Sequence, residues 1–330
     1  MTPVGRPPKT FEELLAVQAD AAVALSGADH SCWNGEVGKT RKPADDKVVV
    51  LGTATWKHKL RYDDKRVLRA LEDMYEHSGV RPSDQKLLWY RNALKSVLHE
   101  NSHLLARHGT TFRDAREAYR NHAVHALEEG VAEAYSVRHL DDYIDELGLE
   151  EVAPGLKDLA GRSTYPKYAP AALHLADQLG AATGLDTNEV LRRLTVVNPA
   201  EKWPVVADLV LEANQLHEVV PSAELPAAKA RIVTAMQSHF AGLTTLKGEL
   251  AEVRGSSAEA GRQAFAAGQA VAGEIGRRFA PPQTMSKEIA AATTGISPLR
   301  TLRPLPPGST ADPDRRPVHE SPRIAGPERG

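Results

Sequence analysis

The segment from residue 87 to 109, LLWYRNALKSVLHENSHLLARHG, places two histidines and a glutamate among regularly spaced leucines. The spacing of its apolar residues predicts a helix over about 85–108, which Gly109 ends. Residues four apart lie on one face of a helix, so His99 and His103 should point in the same direction, one turn apart. Since buried polar groups need partners, the fold has to bring other polar side chains to this face.

The string His99-Glu100-Asn101-Ser102-His103 is an HExxH motif. Two neutral imidazoles on one helix face can bind Zn²⁺, and the carboxylate of Glu100 can take a proton from the metal-bound water. This is the arrangement that metal-assisted peptide hydrolysis requires. The alternative is that the two histidines belong to an ordinary polar helix face. The flanking leucines, however, favour burial and metal binding.

A second segment, NHAVHALEEGVAEAYS (121–136), supplies acidic side chains at helical spacing. His125, Glu129 and Glu133 follow one another at steps of four residues and share one face. Glu128 is turned about 100° away from that face. A zinc site with two histidines needs a third protein ligand and one open position. We expect Glu129 to be that ligand, with His125 as the next candidate. Glu133 is then placed to accept the free ring N–H of a ligand histidine. A solvated acidic stripe is the alternative, although the intervening apolar residues indicate packing.

Together the two segments resemble the gluzincin branch of zinc metallopeptidases. In that branch an HExxH helix is followed by a helix with an Asn/Glu-Glu-Gly-x-Ala/Ser-Glu/Asp string, and here HENSH is followed by LEEGVAEAY. The resemblance implies that His99, His103 and Glu129 are the zinc ligands. It also implies that Glu100 is the general base and that Glu133 is the acid that supports a ligand histidine.

The resemblance covers about residues 47–147. The segment KVVVLGTATWKHKL (47–60) is rich in β-branched residues and predicts a strand. By resemblance, its part 52–60 corresponds to the edge strand that pairs with an extended substrate. The longer metzincin motif is not met, because Ala106 and Gly109 stand where its glycine and its third histidine would be.

The sequence leaves open which group would stabilise the oxyanion of a hydrolytic reaction; the candidates are Tyr165, Tyr168, His174 and Tyr135. Without such a group the site could bind metal and still be a poor catalyst. One alternative is therefore a zinc-stabilised interaction protein with an inactive or blocked peptidase-like site. Another is a toxin-type or effector-type peptidase with a single protein target.

Composition excludes several other classes of function. The 330 residues carry a formal charge of −2, which does not favour nucleic acid as a partner. The partner that we expect, from the HExxH motif, is a peptide or protein substrate. No stretch approaches the apolar length of a membrane span, and the N-terminus lacks the pattern of a secretory signal. With Cys32 as the single cysteine, no internal disulfide is possible. We expect a cytoplasmic protein, while signal-less export and the oligomeric state stay open.

The overall pattern predicts an α+β fold that is predominantly α-helical, with a zincin-like core in which a small sheet packs on the HExxH helix. Gly130 stands inside a predicted helix, where we expect it to leave room for the neighbouring active-site helix. Further helices are expected over about 65–79, 168–182, 187–195, 200–217 and 224–252, with a small-residue segment at 257–279. The predicted regions are an N-terminal lead with a short helix and loop (1–46), the metallopeptidase core (47–164), a helical C-terminal subdomain (165–280) and a disordered Pro-rich tail (281–330).

Overall fold

Helices make up most of the computed structural model, which describes residues 7–41, 49–160, 163 and 165–279. Two small sheets accompany the helices, so the expected helix-dominated α+β class is confirmed. The predicted Pro-rich tail lies outside the described residues. None of the helices in the described ranges combines the length and the apolar character needed to cross a membrane.

The α-helices of the described ranges are α1 (Phe11–Ser26), α2 (Arg69–Glu76), α3 (Asp84–Ser102), α4 (Ala115–Ala118), α5 (His122–Arg138), α6 (Leu140–Glu146), α7 (Ala169–Thr183), α8 (Thr187–Thr195), α9 (Pro199–Ala213), α10 (Leu216–Val219), α11 (Leu225–Ala241) and α12 (Leu250–Phe279). A π-helical turn, Asp64–Leu68, leads into α2, and 3₁₀ turns lie at Leu156–Asp158 and Gly242–Thr245. The strands are β1 (His30–Ser31), β2 (Val37–Lys39), β3 (Gly52–Ala54), β4 (Leu60–Tyr62) and β5 (Leu105–Ala106).

Short polar side chains start the helices that matter most for the site. Ser83 caps α3 by accepting a hydrogen bond from Lys86 N, and Asn121 caps α5 in the same way. Asp186 caps α8 by accepting a hydrogen bond from Asn188 N. Asn198 forms a capping box with Glu201 at the start of α9. These caps satisfy backbone N–H groups that have no partner within the helix, which fixes where each helix begins.

The HExxH helix is shorter than its apolar pattern predicted. α3 ends at Ser102, and the predicted extension to residue 108 is wrong. The reason is tertiary: β5 follows almost at once and pairs antiparallel with β1, with Ser31 opposite Leu105. Backbone groups that pair with a distant strand cannot also close helical turns.

The predicted strand over 47–60 is a hairpin. β3 and β4 pair antiparallel, and the turn between them contains His58 with a positive φ of 60°. In the three-stranded sheet β4 is central and β3 lies at one edge, next to α3. A single strand over 52–60 is therefore wrong, whereas the sheet itself and the edge position of residues 52–54 agree with the expectation.

The C-terminal helices are also divided differently from the prediction. The helix predicted over 224–252 is two helices, α11 and α12, separated by the Gly242–Thr245 turn and by Gly248 at a φ of 136°. α12 then runs through the small-residue segment to Phe279. A Cβ on Gly261 would lie 2.3 Å from Ala171 O, so the small residues allow α12 to pack closely on α7.

Two helices organise the core. α3 packs against α1, α2, α5 and α6, and α5 packs against α7, α8, α9 and α11. Fully buried apolar side chains from both helices meet, among them Leu94, Leu98, Leu127 and Val131. α3 and α5 therefore face each other at the centre of the packed helices, with the HExxH motif on α3 and the acidic string on α5.

Candidate metal centre

Three side chains from α3 and α5 converge on one point. His99 Nε2 lies 3.5 Å from Glu129 Oε2, and His103 Nε2 lies 3.9 Å from Glu129 Oε1. One donor atom from each of the three residues lies within 4.8 Å of the other two. Donors at such separations can bind a single metal ion, since metal–ligand bonds to nitrogen and oxygen are about 2 Å long.

His99 is held from its other ring nitrogen. Glu133 Oε2 lies 3.1 Å from His99 Nδ1, the contact that the sequence predicted for this acid. His99 Nε2 is buried and makes no hydrogen bond to any described residue. A buried nitrogen that faces Glu129 without a hydrogen bond is the arrangement expected of a metal ligand whose tautomer is fixed at Nδ1.

His103 is held by an acid that sequence reasoning missed. Glu128 Oε1 lies 2.7 Å from His103 Nδ1, although its position on α5 placed it about 100° away from Glu129. His103 occupies the C-cap position of α3, one turn beyond His99, and so meets a different part of the surface of α5. The doubled acid in LEEG was the signal, because Glu128 directly precedes the expected ligand.

Each of these two acids also contacts a buried lysine. Glu133 Oε1 lies 2.7 Å from Lys95 Nζ, and Glu128 Oε2 lies 3.3 Å from Lys202 Nζ. Burial lowers the pKa of Lys202, and the carboxylate of Glu128 opposes that shift. With neutral histidines, four carboxylates and two ammonium groups leave two formal negative charges among the described residues of the centre, the number that a divalent cation offsets.

The electrostatics of the donors favour a positive charge at their meeting point. Burial lowers the pKa of His99, but the nearby carboxylates of Glu129 and Glu133 outweigh burial and raise that pKa to about 10. Burial raises the pKa of Glu129, yet the adjacent His99, the charges of both histidines and the hydrogen bond from Tyr119 hold it well below its ordinary value. A proton or a cation at this point is therefore strongly stabilised.

Glu100 lies beside the three donors and is held by the edge strand. Its Oε2 accepts a hydrogen bond of 2.7 Å from Ala54 N on β3. Gly52 leaves the space for this carboxylate, because a Cβ there would lie 2.5 Å from Glu100 Cγ. Burial raises the pKa of Glu100, and His99 and His103 act against that rise. A carboxylate with a raised pKa is better suited to exchange protons near neutral pH.

The centre opens into a cavity of about 300 Å³. Acids and a histidine form one wall of the cavity, and residues 52–56 form another. Apolar and aromatic side chains form the rest of the lining. Its lining residues are Gly52, Thr53, Ala54, Thr55, Trp56, Glu100, His103, Leu104, Phe112, Tyr119, Glu128, Glu129, Tyr165 and Pro199. The donors and Glu100 can therefore be approached by a ligand.

Two of the four oxyanion candidates lie near the centre. Tyr165 lines the cavity, with its ring centroid 4.9 Å from that of His99. The ring of Tyr168 packs against Tyr165 and against His125. His125, the reserve choice for third ligand, also packs against Tyr119 and belongs to neither of the two groups of potential metal donors among the described residues.

The other two candidates point elsewhere. Tyr135 is buried on α5 with its ring centroid 4.5 Å from that of His139, and its hydroxyl bonds to no described residue. His174 lines a separate cavity together with Arg138 and Arg254. Neither is among the described residues that line the cavity next to Glu100, so the structure gives neither residue a position to contact a ligand there.

Tyr119 is a further residue of the centre that the sequence did not reveal. Its hydroxyl donates a hydrogen bond of 2.5 Å to Glu129 Oε1, and its ring meets that of Trp56 edge-on at 5.4 Å. Burial and the nearby Glu129 carboxylate raise the pKa of Tyr119, so the phenol stays a protonated donor. Tyr119 follows the short helix α4 in a polar stretch, where no periodicity links it to α5.

Gly130 allows close packing against a different element from the one expected. A Cβ on Gly130 would lie 2.7 Å from Tyr168 O and 2.9 Å from Ala172 Cβ. The expectation that it leaves room for the HExxH helix is therefore wrong, because the close approach is to the start of α7. This packing nevertheless bears on the cavity, since it sets the position of the chain that follows Tyr165.

Comparisons with known proteins add no relative. No protein-family model, curated protein or solved structure matches the chain. The interpretation of the centre therefore depends on its own geometry, above all on the convergence of His99, His103 and Glu129 next to Glu100.

Proposed function

We propose that the protein is a zinc-dependent metallopeptidase. His99, His103 and Glu129 would bind the zinc ion, and Glu100 would act as the general base. The observation that carries the proposal is the convergence of these three donors, with Glu100 beside them, on an open cavity. A site with two imidazoles, one carboxylate and an accessible position is the donor set of catalytic zinc.

The residues present fit such an ion in three independent respects. His99 Nε2 is buried and without a hydrogen bond among the described residues, the formal charge of the centre is that which a divalent cation offsets, and both Nδ1 atoms contact carboxylates. Nitrogen and oxygen donors of this type also suit other first-row divalent ions, among which geometry and availability decide.

Zinc bound here would supply a Lewis acid that polarises a peptide carbonyl and lowers the pKa of water. The protein groups would do the rest. Glu100 takes a proton from the attacking water and passes it to the leaving amine. β3 lies at the sheet edge along the cavity, where an extended peptide could pair with its backbone. Tyr165 is the predicted oxyanion candidate that lines the same cavity.

The test combines metal content with hydrolysis. We expect about one zinc ion per chain in the wild type and in Glu100→Gln, and loss of zinc in His99→Ala and Glu129→Ala. Cleavage of a mixed peptide library should be present in the wild type and absent from Glu100→Gln. Full cleavage by Glu100→Gln would contradict the role given to this residue.

One contact favours a second candidate, a zinc-stabilised interaction protein with a blocked site. Ala54 N donates a hydrogen bond to Glu100, and a hydrogen bond to the charged form lowers the pKa of the carboxylate and makes it a weaker base. This candidate predicts stoichiometric zinc in the wild type together with no cleavage of any peptide in the library. Cleavage that depends on Glu100 would exclude it.

A further inference from the structure

A buried lysine lies behind each of the two histidines. On one side, Lys95 Nζ is 2.7 Å from Glu133 Oε1, and the other oxygen of Glu133 is 3.1 Å from His99 Nδ1. The side chains of Lys95, Glu133 and His99 are all buried. The acid is therefore shared, with one oxygen facing the histidine and the other facing the lysine.

A related arrangement occurs at His103, built from different helices, with an ion pair where the first has a hydrogen bond. Lys202 Nζ on α9 is 3.3 Å from Glu128 Oε2, and Glu128 Oε1 is 2.7 Å from His103 Nδ1. Lys95 comes from α3 itself, whereas Lys202 lies far along the chain. Two separate parts of the fold thus supply a cation to the same position relative to each histidine.

Lys202 is also held by contacts other than the one with Glu128. Its Nζ donates hydrogen bonds of 2.6 Å to Leu194 O and 3.0 Å to Val197 O, at the end of α8 and in the α8–α9 connection. Glu128 Oε2, 3.3 Å away, is its third neighbour and forms an ion pair with it, not a hydrogen bond. Because two carbonyl groups hold the ammonium group of Lys202 in place, its charge can orient the carboxylate of Glu128.

Charge pairing alone does not account for these lysines. A buried ion pair often contributes little net stability, because both charges lose their hydration. An acid that must hold an imidazole ring at one angle, however, gains from a second contact that prevents its own rotation. The ring angle matters because it aims Nε2 at the point where His99, His103 and Glu129 meet.

We propose that Lys95 and Lys202 are positioning residues of the metal centre. Each fixes the carboxylate that orients one ligand histidine, Glu133 for His99 and Glu128 for His103. The inference rests on the proposed metal centre and deepens it, but it does not require that the centre hydrolyse peptides. It also makes α9 part of the metal site, through a residue that never touches the ion.

The test is the affinity for zinc, measured by competition with a chromogenic chelator, in Lys95→Met and Lys202→Met. Loss of a group that supports a metal ligand typically weakens metal binding by about 10-fold to 100-fold, and we expect each variant to fall in that range. Lys157→Met is the matched control, since it removes a lysine that pairs with Asp145 on α6 outside the centre. Its zinc affinity should equal that of the wild type.

Thermal unfolding with and without zinc separates positioning from a purely structural role. A structural role lowers the melting temperature equally in both states, whereas positioning lowers the zinc-dependent increase. Wild-type zinc affinity in a folded Lys202→Met variant would overturn the inference and leave the proposed function intact. Zinc binding by the wild type without any cleavage would overturn the peptidase only, and no zinc binding at all would overturn both.

A second variant covers the case in which Lys202→Met fails to fold because Glu128 is left as an unpaired buried charge. The double variant Glu128→Gln, Lys202→Met removes both charges and keeps an oxygen that can accept from His103 Nδ1. It should fold and bind zinc more weakly than the wild type, because the amide has lost the contact with Lys202. Wild-type affinity in the double variant would overturn the inference.

Discussion

The backbone N–H of Ala54 donates a hydrogen bond of 2.7 Å to the carboxylate of Glu100, which lies 46 residues later in the chain. The contact joins the edge strand β3 to the HExxH helix and sets where the carboxylate of Glu100 lies relative to His99, His103 and Glu129. Gly52, on the same strand, makes the contact possible, because any side chain at that position would occupy the space of Glu100.

Gly52→Ala should therefore impair hydrolysis and leave zinc binding unchanged. The added Cβ would lie 2.5 Å from Glu100 Cγ, so the carboxylate has to move while His99, His103 and Glu129 stay in place. A shift of about 1 Å in a catalytic group can cost about 100-fold in rate, and we expect a loss of that order in kcat/KM. Gly242→Ala is the control, since a Cβ there meets no described atom within 4 Å. Unimpaired hydrolysis in Gly52→Ala would argue against Glu100 as the base.

Tyr119→Phe should weaken zinc binding without unfolding the protein. The variant keeps the ring contacts with Trp56 and His125 but loses the hydrogen bond to Glu129. Because this hydrogen bond orients the proposed third ligand, we expect zinc affinity to fall by about 10-fold. Tyr75→Phe provides a matched comparison, since the buried Tyr75 hydroxyl bonds to no described residue. Equal zinc affinities in the two variants would show that Tyr119 does not support Glu129.

Gly130→Ala should destabilise the fold, although alanine is the better helix former. The methyl group would lie 2.7 Å from Tyr168 O, and such overpacking typically costs about 1–3 kcal/mol. Gly255→Ala, in α12 with open space around it, should instead stabilise by up to about 1 kcal/mol. The measurement is the free energy of unfolding in urea for both variants. A Gly130→Ala protein as stable as the wild type would mean that α7 can move away from α5 at little cost.

The contribution of Glu189 to stability should disappear in acid. Hydrogen bonds from Arg192 and Arg193 outweigh burial and lower the pKa of Glu189 from 4.5 to about 2. A carboxyl whose pKa is lower in the folded state stabilises the fold above the unfolded pKa, and that contribution is lost as the pH falls through the folded pKa. The difference in melting temperature between the wild type and Glu189→Gln should thus be full above about pH 5 and shrink towards pH 2. A difference that does not vary with pH would contradict the assigned pairing.

The local part of the centre could be predicted because helical spacing is a property of the sequence alone. His99 and His103 lie one turn apart at the end of α3, and Glu129 and Glu133 lie one turn apart on α5. From this spacing the sequence predicted that Glu133 would accept from a ligand histidine, and in the structure that histidine is His99.

The remaining contacts depend on how distant elements pack, and no periodicity encodes that. Lys202 reaches Glu128 only because α9 lies against α5. Tyr119 reaches Glu129 from a loop, and the end of α3 is set by the pairing of Leu105 with Ser31. The apolar pattern continued past Ser102, so only the partner strand could reveal that the helix ends there.

The anchoring of Lys202 on the α8–α9 connection has a consequence for the order in which the centre forms during synthesis. The chain emerges from the ribosome with His99 and His103 first, then the acids of α5, and Lys202 only after α7 and α8. Until α9 packs against α5, Glu128 lacks its ion pair with Lys202. This contact therefore forms only after helices α1–α8 have been synthesised. With the positioning role proposed for Lys202, a nascent chain would complete the centre only after α9 has packed against α5.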